Sequence, residues 1–139
     1  MEVRCALEEL AVQLACDRMD EEGIKKLKEA AEKFREVLDS DDITQIAQAD
    51  VLFHDIIYTA TDNDRLIQLL NNLREQMYRY RIEYLKKREC YPQLLEEHQA
   101  VIDAIAGKDK QKATEITGRH ISNQVDTVVD TLRHKDDSN

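Results

Sequence analysis

Apolar residues along the chain recur every three to four positions in six successive stretches, the spacing of one face of an α-helix. The first stretch runs from about Val3 to Met19, with Val3, Leu7, Leu10, Leu14 and Ala15 on one stripe. Asp20 is placed to cap a second helix whose stripe is Ile24, Leu27, Ala31, Phe34 and Leu38. The run Asp39-Ser-Asp-Asp42 breaks the pattern and caps a third helix, about Ile43 to Ala60. Thr61-Asp-Asn-Asp64 is the next break, and a fourth helix is expected from about Arg65 to Lys87 on Leu66, Leu69, Leu70, Leu73 and Met77. Pro92 suits the first turn of a fifth helix, and Gly107 suits the residue just past its end. A sixth runs from about Lys110 to Arg133. Short connections between helices imply antiparallel neighbours. The reading is an all-α antiparallel bundle over residues 1–133, with a frayed tail at 134–139.

Composition agrees. The chain has 139 residues, enough for one core, with only three glycines and one proline, far too few turn residues for a β-rich fold. A formal net charge of -9 argues against this chain gripping a phosphate backbone by itself. No apolar run approaches the ~20 residues of a membrane span, and the start lacks the layout of a signal peptide. Cys5, Cys16 and Cys90 are odd in number and have no CxxC spacing, which points to a reduced, cytoplasmic setting. Cys5 and Cys16 are read as small core residues.

Chemistry is expected where polar groups interrupt the apolar stripes. Asp50 and His54 fall on the stripe of Ile43, Ile46, Phe53 and Ile57, one turn apart and within reach of a common ion. His98 lies among Leu94, Leu95, Val101, Ile102 and Ile105. His120 stands beside Ile116 at the edge of the arc Ile121, Val125, Val128 and Leu132, flanked by Gln124 and Thr127. An inward histidine alone is more often a hydrogen-bonded core residue, and an inward Asp alone could pair with an arginine. Three of the four histidines on inward faces of three helices, one with an Asp a turn away, favour one divalent ion. Imidazoles and a carboxylate suit zinc, with nickel, iron or manganese as alternatives. His134 lies in the charged tail and is not expected to be a ligand.

The run Ala49-Asp-Val-Leu-Phe-His-Asp-Ile-Ile57 resembles the Asp-x-x-Phe-His segment of the C-terminal ligand-sensing (FCD) domain of FadR-type GntR transcription regulators. Glu96-Glu-His98 with Gly107-Lys-Asp109 resembles that domain's Glu-His helix and Gly-Asp turn. Arg119-His-Ile121 resembles its last helix, and Val3-Arg-Cys-Ala-Leu-Glu8 its opening Arg-x-x-Leu-Glu helix. The resemblance spans essentially the whole chain, with the motifs in order.

The resemblance implies a helical bundle that dimerises, encloses a cavity and holds a metal through Asp50, His54, His98 and His120. It implies an effector that is a small organic or sugar acid, its carboxylate completing the metal's coordination. DNA contact would come through a winged helix-turn-helix domain that these residues do not include, whether the chain is an excised domain or a standalone sensor. Arg4, at the family's arginine position, Arg81 on the inward stripe and Asn123 one turn past His120 are the candidate effector contacts; ordinary alternatives are an Arg4–Glu8 pair, a snorkelling Arg81 and a solvated Asn123. Gly118 could leave room near the metal, and Tyr78, Tyr80 and Tyr84 form a cavity, interface or core patch. Two rival classes are an interaction domain with a structural metal and a metal-dependent hydrolase. Hydrolysis needs a general base in reach, and Glu96 and Glu97 are expected to point away from the ligands.

Overall fold

Six stripes become seven α-helices among the described residues. The computed structural model describes residues 1–137, with side chains described through Arg133. The helices are α1 (Glu2–Arg18), α2 (Glu21–Val37), α3 (Ile43–Ala60), α4 (Asp64–Asn72), α5 (Arg74–Leu85), α6 (Tyr91–Ala106) and α7 (Lys110–Asp137). No strand occurs among the described residues. None of their helices is long and apolar enough to cross a membrane. The expected tail at 134–139, His134 included, lies outside the residues whose side chains are described, although the backbone of α7 continues through Asp137.

The breaks form where the capping chemistry demands them. Asp20 accepts from the Gly23 amide at 2.8 Å, Asp42 from Gln45 at 3.2 Å and Asn63 from Leu66 at 3.0 Å. Asp109 does the same for Lys112 at the start of α7, at 3.1 Å. At the end of α6, Gly107 stays right-handed (φ -85°), and the left-handed residue is Lys108 (φ 55°). The expected role of Gly107 thus passes to its neighbour, and the turn still closes through the Asp109 amide donating to the Ala104 carbonyl at 2.8 Å.

The fourth stripe is not one helix. It breaks at Leu73 (φ -98°, ψ 1°), between α4 and α5. Neither Pro nor Gly marks the place; the Asn71-Asn72 pair, with its weak helix propensity, is the only local signal. Arg74 bonds Asn71 and Asp55 across the break, and α5 then presents Met77, Arg81, Tyr84 and Leu85 inward.

The opening helix is rotated from its expected stripe. Val3 is 65% exposed and Leu10 42%, while Arg4, Glu8, Ala11, Val12 and Ala15 are buried. Two charged side chains can lead the buried face because they pair with each other. Leu132, expected in the arc of α7, is 56% exposed, and Gln124 takes an inward position instead.

Two apolar clusters fill the bundle. One centres on Ala11, Val12, Leu27, Phe53, Leu70, Ile102 and Ala113, the other on Phe34, Ile46, Tyr84, Leu85 and Leu94. His98 lies between them: Phe34 of one meets its ring edge-on at 4.6 Å, and Phe53 of the other stacks on it at 4.1 Å. The polar centre is therefore built into the seam of the core.

Candidate metal centre

Asp50 is the hub. It is buried on α3, and its Oδ1 lies 2.8 Å from His98 Nε2 and 3.5 Å from His54 Nε2. Its Oδ2 accepts from Arg81 Nε at 2.7 Å. Burial opposes ionisation, but the His54 charge, the hydrogen bonds of His54 and His98, and the Arg81 guanidinium outweigh it. Together they hold the Asp50 carboxyl well below the usual carboxylate range. Burial also pushes His98 down, against the pull of Asp50, so its imidazole is neutral near pH 7. An ionised carboxylate and a neutral imidazole are the forms that bind a metal.

The ligand atoms of Asp50, His54 and His98 all lie within 4.8 Å of one another. A tetrahedral ion with bonds of about 2.1 Å separates its ligand atoms by about 3.4 Å. The 2.8 and 3.5 Å separations at Asp50 bracket that value, so the donor set fits a divalent ion with little rearrangement. His120 stands beside the trio, its ring centroid 6.1 Å from that of His54. Its Nδ1 is 2.5 Å from Glu97 Oε2, which leaves Nε2 as the nitrogen available to an ion. Burial lowers the His120 pKa, but the hydrogen bond and charge of Glu97 more than reverse this.

Glu97 is the correction to the sequence reading. It was expected to point away from the ligands, and instead it lines the same chamber as His54, His98 and His120. The reason is geometric: α6 packs on α7, and the position preceding His98 sits at that junction. A carboxylate on the far nitrogen of a ligating histidine fixes its tautomer and raises its basicity.

Glu8 and Tyr58 were the other residues missed. Arg4 Nε donates to Glu8 Oε2 at 3.0 Å, and the Tyr58 hydroxyl donates to Glu8 Oε1 at 2.5 Å. Glu8 and Tyr58 line the chamber together with Val12, Phe53, Thr117 and Ile116. Tyr58 lies one turn beyond His54, a signal the periodicity carried but apolar bookkeeping hid. Burial opposes Glu8 ionisation, yet Arg4, His54 and the Tyr58 hydrogen bond keep its carboxyl below the ordinary range.

Of the expected effector contacts, Arg4 is buried against Glu8, and Arg81 is engaged by Asp50 behind the chamber. Asn123 is half-buried and does not line the chamber. Gly118 makes room elsewhere than at the metal: a Cβ there would meet Glu9 Oε1 of α1 at 2.8 Å. Tyr84 is core, its ring 6.2 Å from that of His120. The cavity itself is small, about 30 Å³, space for an ion and a water or two.

The all-α bundle, whose core seam holds an aspartate and histidines around a small chamber, agrees with the helical FCD-type domain that the sequence motifs resemble. The FCD domain family profile matches residues 1–123, and the chain belongs to the FCD domain family. An HTH-type transcriptional regulator of Bacillus subtilis (strain 168), YdhC, is 25% identical over 121 residues, 86% of this chain and 54% of the relative. The chain thus spans about half the length of that curated relative. The solved structure of E. coli McbR/YncC superposes with a TM-score of 0.77 at 22% identity, over 90% of this chain and 65% of the other. That likeness is one of fold.

Proposed function

We propose that this domain senses a small carboxylic acid through one divalent ion, zinc by donor preference, held by Asp50, His54, His98 and His120. The observation that carries the reading is the Asp50 hub, whose Oδ1 stands within 3.5 Å of two imidazole nitrogens while Arg81 holds Oδ2. When bound, the ion supplies a Lewis-acidic position that a carboxylate oxygen can take. The chain's own residues orient the ligands: Arg81 fixes Asp50, Glu97 fixes His120, and Phe34 and Phe53 clamp His98 between their rings.

A chamber of about 30 Å³ must widen to admit an organic acid. That need supports a signalling role. An effector that binds only the widened bundle shifts the population toward it, with the free-energy difference set by its affinity for the two states. In a regulator resembling YdhC, the shift would bias a separate winged helix-turn-helix domain on DNA. The outward Val3 and Leu10 on α1, both more than a third exposed, support pairing of two copies.

Calorimetry with a panel of small carboxylates tests the reading. Heats of binding are expected from metal-loaded protein and not from metal-stripped protein. Identical heats in both states would refute the coupling. The position of Glu97 beside the ligands gives the hydrolase alternative its one specific support. Ester turnover by metal-loaded protein, abolished in Glu97→Gln, would favour that alternative.

A further inference from the structure

Two of the proposed metal ligands have an outer partner from the chain itself: Arg81 holds Asp50 Oδ2, and Glu97 Oε2 meets His120 Nδ1. His98 has none. Its Nε2 is turned to Asp50, and its Nδ1 has no hydrogen-bond partner although the residue is only 4% exposed. Native interiors leave few buried polar atoms unmet. A ligating histidine almost always donates its second ring N–H to a carboxylate, a carbonyl or water.

A second space adjoins this residue. Besides the inner chamber, His98 lines a groove of about 230 Å³ between α2 and α6, and among the described residues it alone lines both. With Nε2 committed to the chamber, Nδ1 is the polar atom the ring offers to the groove. Lys28, Ala31 and Arg35 share the face of α2 that lines the groove, so a small side chain sits between two long cations, each about one turn away. Lys28 and Arg35 are exposed, and Ala31 is half-buried. The lining also holds an acid, Glu32, whose Oε2 is 3.6 Å from Arg35 Nε. Two cations against that acid leave a single positive charge beside a buried ring nitrogen.

The ionised Asp50 Oδ1 can only accept, so in the metal-free protein Nε2 of the neutral His98 ring carries the proton and Nδ1 is an acceptor. Ligation through Nε2 uses its lone pair. That places the ring proton on Nδ1 and makes the atom a donor, with no change in ring charge. We propose that the α2–α6 groove is a second ligand site, outside the metal chamber, that takes one carboxylate group on His98 Nδ1–H between Lys28 and Arg35. The proposal rests on the reading of His98 as a metal ligand given above. A monoanion balances the single positive charge of the groove, and a dianion exceeds it. Because Nδ1 donates only when Nε2 is ligated, metal and carboxylate raise each other's affinity by one common factor.

The test is chelator competition for zinc on the full chain, at constant ionic strength, in chloride, acetate or sulfate. Saturating acetate is expected to raise zinc affinity about tenfold over chloride, the lower end of what an outer partner contributes, and sulfate to raise it less. Acetate can also reach the ion inside the chamber, and a Lys28→Gln, Arg35→Gln variant separates the two sites. Both positions are exposed, and glutamine keeps the helix propensity of α2. In that variant the acetate effect should fall to near unity. An effect of unchanged size there would put acetate on the ion and overturn the groove site. No acetate effect in the wild type, or a sulfate effect as large, would overturn it as well. Each of those results leaves the metal reading standing, whereas no zinc binding in any of the three salts would overturn both.

Discussion

Glu97 Oε2 stands 2.5 Å from His120 Nδ1, so a side chain one position before a core histidine on α6 orients a histidine on α7. Replacing it with glutamine keeps the shape and removes the charge. Outer partners of this kind are worth about 10–100-fold in metal affinity. Glu97→Gln is therefore expected to weaken zinc affinity by about that factor in chelator competition, with stoichiometry at saturation unchanged. Unaltered affinity would mean that His120 is not a ligand.

Most of the fold was legible because amphipathic stripes and capping residues state it locally. Asp20, Asp42 and Asn63 cap where they stand in the sequence. The clearest exception is one in which tertiary pairing reversed a local preference. The face of α1 bearing Arg4 and Glu8 turned inward because the two charges satisfy each other and Tyr58 meets the second Glu8 oxygen. Leu73 breaks a helix that apolar spacing alone draws straight through. In the site, Asp50, His54 and His98 were visible as polar interruptions of apolar stripes, and the structure gathers them. Glu97 was not visible, because its position depends on how α6 lies against α7.

Asp50 joins three partners, so its removal should be expensive. Asp50→Ala leaves Arg81 buried without a counter-charge, a loss on the order of 3–5 kcal/mol for breaking a buried pair. Chemical denaturation of the metal-free protein measures this apart from any ion. A loss below about 1 kcal/mol would mean that Arg81 finds another partner.

Glu8 gives the chain a pH dependence with a definite sign. Its folded pKa lies below the ordinary value of 4.5, so the folded state favours the carboxylate. The resulting stability is present above about pH 4.5 and is lost as pH falls through the folded value. Asp50 acts in the same direction at lower pH. Thermal melts of chelator-treated protein should therefore fall below pH 4.5, and Glu8→Gln should flatten the upper part of that fall. A melting temperature rising as pH falls below 4.5 would contradict the pairing.

Tyr58→Phe removes the donor to Glu8 Oε1 and leaves a buried carboxylate oxygen unmet. The expected loss is about 1–3 kcal/mol. It should be absent in a Glu8→Leu, Tyr58→Phe pair when compared with Glu8→Leu alone, because leucine offers the tyrosine no partner. A double-mutant cycle reads this directly.

Anomalous X-ray scattering from crystals of the zinc-loaded protein tests the central claim most directly. One peak is expected at about 2.0–2.2 Å from Asp50 Oδ1, His54 Nε2 and His98 Nε2, with His120 Nε2 closing on the same ion. No peak there, or a peak held by other side chains, would contradict the account.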